Sequence, residues 1–172
     1  MRLRDHLPDR LTGERIVLRQ PRLADLHDLL AKANNWPVLQ WTGLPFPYEQ
    51  THGRAFLAKT ARNSHHPYVI ADAHTDVLLG VIGLYEHADK PTEIGYWLGE
   101  NHWGQGLATE ALRTILPAAT AAGMNPLRAL VVAGNDGSRR MLEKCGFRLV
   151  EETVSQLERH RDKPLLILEY AQ

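Results

Sequence analysis

His102 to Leu112 reads HWGQGLATEAL. Two glycines, Gly104 and Gly106, stand immediately before a run of good helix formers. Such a stretch either turns the chain out of a strand or leaves backbone amides bare for an anion. Glycine lacks a Cβ, so the chain can take positive φ and approach a ligand closely. The first N–H groups of a helix have no intrahelical partner and sit at the positive end of its dipole. Together these features suit a phosphate. Two known phosphate loops are excluded. A Rossmann fingerprint needs a third glycine where Thr109 stands, and no Gly-Lys-Ser/Thr triplet of a Walker loop occurs anywhere.

Outward from this stretch, elements alternate. Glu93 to Leu98 (EIGYWL) reads as a strand. Val77 to Tyr85 is apolar and β-branched enough for a buried one, and a turn with Asp89 and Pro91 makes the two a hairpin. Ala108 to Ala122 follows as a helix ended by Gly123, with Pro117 predicting a kink or early stop. Leu127 to Ala133 is a strand, and Asp136 to Lys144 a helix stopped at Gly146. Phe147 to Val154 and Leu165 to Tyr170 are the last strands. Upstream, Glu14 to Arg19 is a strand, Arg22 to Ala33 and Glu49 to Ala61 are helices, and Tyr68 to Ala71 is a short strand. Asn34 to Tyr48 reads as a loop rich in aromatics: Trp36, Trp41, Phe46 and Tyr48. The order β-α-α-β-β-β-α-β-α-β-β predicts an α/β or α+β layer arrangement around one mixed sheet.

Bulk properties narrow the function. A chain of 172 residues is most simply one domain, and 44% hydrophobic with 23% charged residues fits a globular fold. Zero formal net charge argues against a broad surface for nucleic acid or anionic lipid, and no basic stripe with interleaved aromatics occurs. The single Cys145 permits no internal disulfide and reads as a buried apolar residue in a reducing compartment. MRLRDHLPDR has no apolar core of a secretory signal, and Leu78 to Tyr85 is far shorter than the ~18 residues of a membrane span. A cytoplasmic protein is expected. The nine histidines lack metal-ligand spacing, since His65 and His66 are adjacent and none pairs at i, i+4 on a helix.

Asn135 to Phe147 reads NDGSRRMLEKCGF. Taken alone, Asn135 is an N-cap and Ser138 a local first-turn cap. Together with EIGYWL and WGQGLATEAL, in this order, it goes beyond turn chemistry. Here the chain resembles the GCN5-related N-acetyltransferases (GNAT), in particular the RimJ/RimL-like branch that acetylates the N-termini of ribosomal proteins. The likeness runs from about Leu11 to Tyr170. It implies a single domain over residues 1–172 with a core of about 11–170. The sheet would be mixed, of about seven strands with a splayed parallel pair, flanked by about four helices.

The resemblance also implies roles. The amides of Gly104, Gln105, Gly106, Leu107, Ala108 and Thr109 would hold the pyrophosphate of acetyl-CoA. Trp97, Leu98 and Gly99 would pair with the amides of its pantetheine arm, and Asn135 would bond that arm from the other side. Arg140, with Arg139, would reach the phosphates at the adenosine end. Trp103 replaces the family's Gln or Arg, a departure that matters little where backbone amides do the binding. Leu142 replaces the tyrosine many members use to protonate the leaving thiolate; the ribosomal branch places a serine where Ser138 stands, so Ser138 is assigned as the proton donor or as the group that orients a water for that task.

Acetyl transfer needs an unprotonated amine. An α-amino group titrates near ~8 and a lysine near ~10.4, so deprotonation at neutral pH costs roughly 1 and about 4 to 5 kcal/mol respectively. An N-terminal acceptor therefore needs only a modest base, for which Glu93 is the candidate and Glu86 and His87 the alternatives. A backbone N–H near Leu98 would meet the oxyanion. Trp41, Tyr48 and Glu86 are the candidate acceptor contacts, with Ser155 to Lys163 as a second wall. The expected function is acetyl-CoA-dependent N-acetylation of a protein N-terminus. The alternatives are a small amine (polyamine, aminoglycoside or amino acid) and a regulatory acyl-CoA-binding domain. Relatives often pair as homodimers through a sheet edge.

Overall fold

A computed structural model of the chain describes residues 3–58 and 64–172. Its strands are β1 (Arg10–Thr12), β2 (Ile16–Arg19), β3 (His65–Asp72), β4 (Leu78–Tyr85), β5 (Thr92–Leu98), β6 (Leu127–Val132), β7 (Arg148–Val154) and β8 (Pro164–Tyr170). Its α-helices are α1 (Leu26–Ala33), α2 (Trp36–Leu39), α3 (Gln50–Ala58), α4 (Leu107–Ala121) and α5 (Asp136–Lys144). The strands form one sheet in the order β1-β2-β3-β4-β5-β6-β8-β7.

Every neighbouring pair is antiparallel except β5 and β6. That parallel pairing is short: Thr92 faces Leu127, Glu93 faces Arg128, and the register ends there. β5 runs on to Leu98 and β6 to Val132 without pairing each other. Each is held on its far side, β5 by β4 from Tyr85–Glu93 to Gly80–Leu98, and β6 by β8 along its whole length. The result is a V with rigid arms and Glu93 at its apex.

Both faces of the sheet are covered at β3 and β4, which explains why these strands read as continuous apolar runs rather than alternating ones, whereas the edge strand β7 is exposed throughout. On one face, Leu29 and Ala33 of α1 and Leu57 of α3 pack with Val69, Ala71, Leu78 and Val81, and Trp97 leans on them. On the other, Leu107, Ala111, Leu112 and Ile115 of α4 and Leu142 of α5 pack with Ile94, Leu98, Leu127 and Ala129, and Tyr96 joins this layer. Alternation along β5 puts Glu93 and Trp97 on the α1/α3 face and Tyr96 on the α4/α5 face.

An ion-pair network closes the sheet's far end. Arg19 is 6% exposed. Its guanidinium donates to both oxygens of the equally buried Asp25, at 3.0 and 2.8 Å, and to Asp76 at 2.8 Å.

Among the described residues there are eight strands and five α-helices where about seven and about four are expected. The extra strand is β1, too short for any hydrophobic period to show. The extra helix is α2, one turn inside the stretch read as loop, started by Pro37 in its first turn. The helix expected from Arg22 opens instead as a 3₁₀ turn, Leu23–Asp25, before α1 begins. The strand at Tyr68 extends to His65 and Asp72. The helix from Glu49 is Gln50–Ala58, and residues 59–61 of that expectation lie outside the described residues. Pro117 does not stop α4, which continues to Ala121. Both Pro117 and Arg113, whose carbonyl loses its bond, are exposed, so water satisfies that carbonyl. No helix among the described residues is long and apolar enough to cross a membrane.

Candidate active site

The glycine loop leads from β5 into α4. Gly104 and Gly106 both take positive φ, +73° and +77°, and Gly106 is the N-cap of α4. A Cβ at Gly104 would meet nothing within 4 Å, so the backbone there is bare on its outer side. The first intrahelical bond is from the Glu110 N–H to the Gly106 carbonyl. The N–H groups of Leu107, Ala108 and Thr109 precede it and are the helix's orphan donors. Trp103 is half-exposed, and its indole donates to the Leu98 carbonyl at 2.7 Å.

Arg15 holds this loop from β2's side. Its guanidinium donates to the Gln105 carbonyl at 2.8 Å and to Glu110 Oε2 at 2.9 Å, and its N–H donates to Glu110 Oε1 at 2.6 Å. Partial burial pushes the Glu110 carboxyl up, but the Arg15 bonds, with one from the Glu14 N–H, hold it below its usual range. The carboxylate in α4's first turn is thus neutralised by Arg15 rather than left to repel an anion. Arg15 lies 95 residues from Glu110, and no motif marks it.

The V supplies unpaired backbone. The Gly99 N–H donates across to the Leu79 carbonyl of β4's side at 2.9 Å. By strand alternation the peptide groups of Leu98 and Tyr96 then point the other way, into the V. Trp97 faces β4 with its carbonyl, against which a Cβ on Gly80 would stand at 2.3 Å. Of the three residues expected to pair with the pantetheine arm, Leu98 therefore has its backbone turned into the opening, and Trp97 and Gly99 have theirs turned to β4.

Across the V stands the start of α5. Asn135 is its N-cap residue, yet its side chain makes no capping bond. Its amide is left for something else. Ser138, half-buried in the first turn, is hydrogen-bonded through Oγ to the Tyr96 hydroxyl. Burial pushes the Tyr96 phenol up to about 12; the Ser138 bond works against this and Cys145 adds to it. Leu142 is fully buried. Arg139 pairs with Glu143 at 3.0 Å, whereas Arg140 is exposed and has no ion-pair partner among the described residues.

The candidate bases sit at the apex on the other face. Glu93 Oε1 lies 3.3 Å from His87 Nε2, and Glu86 Oε2 lies 2.6 Å from Nε2 of the buried His66. His65 and Tyr85 stack beside them at 4.2 Å between ring centroids. Glycines at 83 and 95 leave room for this stack, since a Cβ on Gly95 would touch the Tyr85 ring at 3.4 Å.

The aromatic loop and the segment Ser155–Lys163 are joined. Arg159 donates to the carbonyls of Leu39, Thr42 and Leu44 at 2.7, 3.1 and 2.6 Å. Its guanidinium also lies 5.6 Å from the Trp36 ring centre. His160 bonds the Gln40 carbonyl and stacks on Trp41. Trp41 in turn reaches Gly134, where a Cβ would stand 3.3 Å from its ring, beside Asn135. Tyr48 lies apart, 5% exposed in the α1/α3 core. Burial raises its phenol.

Residues 15–148 match the family model described as the acetyltransferase (GNAT) domain. An uncharacterized N-acetyltransferase YoaA of Bacillus subtilis is 30% identical over 145 residues, covering 80% of this chain and 82% of the relative. A ribosomal-protein-serine acetyltransferase of Escherichia coli is 35% identical over 88 residues, covering 48% of each. Among solved structures, Mycobacterium smegmatis RimJ in complex with CoA-disulfide superposes with a TM-score of 0.82 at 23% identity, covering 95% of this chain and 88% of that one. Spermidine N-acetyltransferase of Vibrio cholerae, in complex with CoA and spermine, does so at 0.78 and 20%, covering 92% and 96%.

The chain belongs to the GNAT acetyltransferase family. It is an N-acetyltransferase.

Proposed function

We propose that the chain acetylates the α-amino group of a protein N-terminus. The observation that carries this reading is the Glu93–His87 couple at the apex of the V, 3.3 Å apart, with Glu86 beside it on His66. An α-amine asks least of such a couple: its deprotonation at neutral pH costs roughly 1 kcal/mol, against about 4 to 5 for a lysine. The ribosomal-protein-serine acetyltransferase among the relatives supports the same acceptor.

Acetyl-CoA supplies the acetyl group as a thioester. Its pyrophosphate would rest on the amides from Gly104 to Thr109, with Arg15 and Arg140 as the nearby cations. The residues fit: Gly104 is bare on its outer side, and the Asn135 amide is not spent on its own helix. The pantetheine arm would enter the V and pair with the peptide group of Tyr96, since the Leu98 carbonyl already accepts from Trp103, with Asn135 closing from α5. Glu93, directly or through a water, takes the proton from the amine. The Leu98 N–H, pointing into the V, receives the carbonyl oxygen as it turns negative. Ser138 meets the departing sulfur. The acceptor lies on the α1/α3 face beneath Trp41, between the aromatic loop and the Ser155–Lys163 segment, with Glu86 beside it and Tyr48 supporting the loop from below.

The test is release of CoA thiol from acetyl-CoA against peptides beginning Ser, Ala, Met or Thr, spermidine, an aminoglycoside and free amino acids. Peptide-dependent turnover that Glu93→Gln lowers about 10²-fold, the scale of general-base loss, is expected. Turnover with spermidine or another small amine alone would overturn the N-terminal acceptor and leave the chemistry intact.

A further inference from the structure

Many acyl-transfer sites meet a leaving group with one hydroxyl, whereas two stand here. Tyr96 projects from the unpaired part of β5 toward the α4/α5 layer, and its hydroxyl bonds Ser138 Oγ on α5. Forty-two residues separate them in sequence. The bond spans the V where strand pairing has ended. Leu142, fully buried, offers no proton.

A hydroxyl pair is directional. A serine beside an acceptor spends its hydrogen on that acceptor; a serine beside a donor keeps its hydrogen free. The Tyr96 environment decides the direction. Its phenol is held neutral by burial, with Cys145 the neighbouring titratable group, and it titrates only near 12. A phenol is also a stronger acid than an aliphatic alcohol. The first leaves Tyr96 its hydrogen; the second, the greater acidity of a phenol, makes Tyr96 the donor and Ser138 the acceptor.

We propose that Tyr96 is a positioning residue for acetyl transfer: its phenol donates to Ser138 Oγ and thereby turns the Ser138 hydroxyl hydrogen toward the thioester sulfur. The proposal rests on Ser138 meeting the leaving group. In the step itself, the amine nitrogen bonds the carbonyl carbon. The C–S bond breaks with its electron pair going to sulfur, and Ser138 hydrogen-bonds that growing charge. The departing thiolate takes its proton from solvent water, and Glu93 returns to solvent the proton that it took from nitrogen. Tyr96 and Ser138 end with the protons they began with.

The experiment is a double-mutant cycle of Tyr96→Phe and Ser138→Ala. It is read by thiol release with the acceptor that the panel selects and, without any amine, with water as acceptor. Tyr96→Phe removes one oxygen from a packed ring, and an unchanged melting midpoint and CoA dissociation constant show that the fold and site survive. Expected is a kcat drop of about tenfold in Tyr96→Phe with the KM for acetyl-CoA within about twofold, and a double variant no slower than Ser138→Ala alone. A double variant slower than Ser138→Ala by the full Tyr96→Phe factor would overturn the proposal, because Tyr96 would then act independently. So would Tyr96→Phe at parental kcat while Ser138→Ala is slow. Parental kcat in Ser138→Ala would overturn the Ser138 assignment itself, and Tyr96's with it.

Discussion

Asp25 shows how much a single carboxylate can carry. It accepts both guanidinium nitrogens of buried Arg19 and the N–H of Arg22, which opens the turn before α1. Asp25→Ala leaves Arg19 charged, buried and dependent on the more exposed Asp76 alone. Breaking a buried pair from one side costs about 3 to 5 kcal/mol, and urea unfolding of the variant should show a loss near the lower end because Asp76 remains. At this scale the sequence is partly legible. Glu93, Asn135 and Ser138 can be singled out because motifs frame them. Tyr96 and Arg15 cannot: a tyrosine in an apolar strand reads as core, and an arginine beside a turn reads as surface. Their partners lie 42 and 95 residues away, and only the folded chain brings them together.

Elements that carry strong local signals fall where the sequence puts them. β4, β5 and α4 lie within one residue of expectation, and α5 coincides with it, because a buried strand, a hairpin turn and glycine-ended helices are written in neighbouring residues. β1 and α2 are missed because three or four residues show no period. The V itself is invisible to periodicity, since its unpaired segments keep strand geometry. The loop between β5 and α4 gives a clean test. Gly104→Ala places a Cβ in open space, so its structural cost is only that of a left-handed φ, about 1 kcal/mol. That Cβ would stand between the loop amides and a pyrophosphate. Calorimetric titration should therefore show acetyl-CoA affinity falling about tenfold or more, a loss of about 1.4 kcal/mol in binding. An affinity drop smaller than the stability loss would remove the loop from the phosphate site.

For the whole molecule, the buried phenols set the alkaline limit of the fold. Tyr68, 1% exposed and donating to the Pro8 carbonyl at 2.6 Å, is pushed up to about 12 by burial and by Asp9, as Tyr96 is by its own burial. Below the unfolded value of ~10 both states hold these protons and the contribution is intact. Between ~10 and 12 the unfolded chain releases them and the native state does not. Stability therefore falls by about 1.4 kcal/mol per pH unit for each such tyrosine. Denaturant midpoints from pH 9 to 12 should show this decline, and Tyr68→Phe should make it shallower. A parallel decline in parent and variant would mean that Tyr68 titrates freely.

The clasp formed by Arg159 has a consequence for how such an enzyme changes its diet. One guanidinium ties the segment after β7 to three carbonyls of the aromatic loop, across 115 to 120 residues of chain. The three hydrogen bonds go to backbone and so fix the loop's length and course, while Trp36 against Arg159 and Trp41 against His160 add side-chain contacts to the same junction. Single exchanges within the loop keep the three backbone bonds, so the loop can change its surface without changing its course. Grafting the whole loop from a relative would fail unless the distant segment is carried with it, which makes the two stretches a single heritable unit.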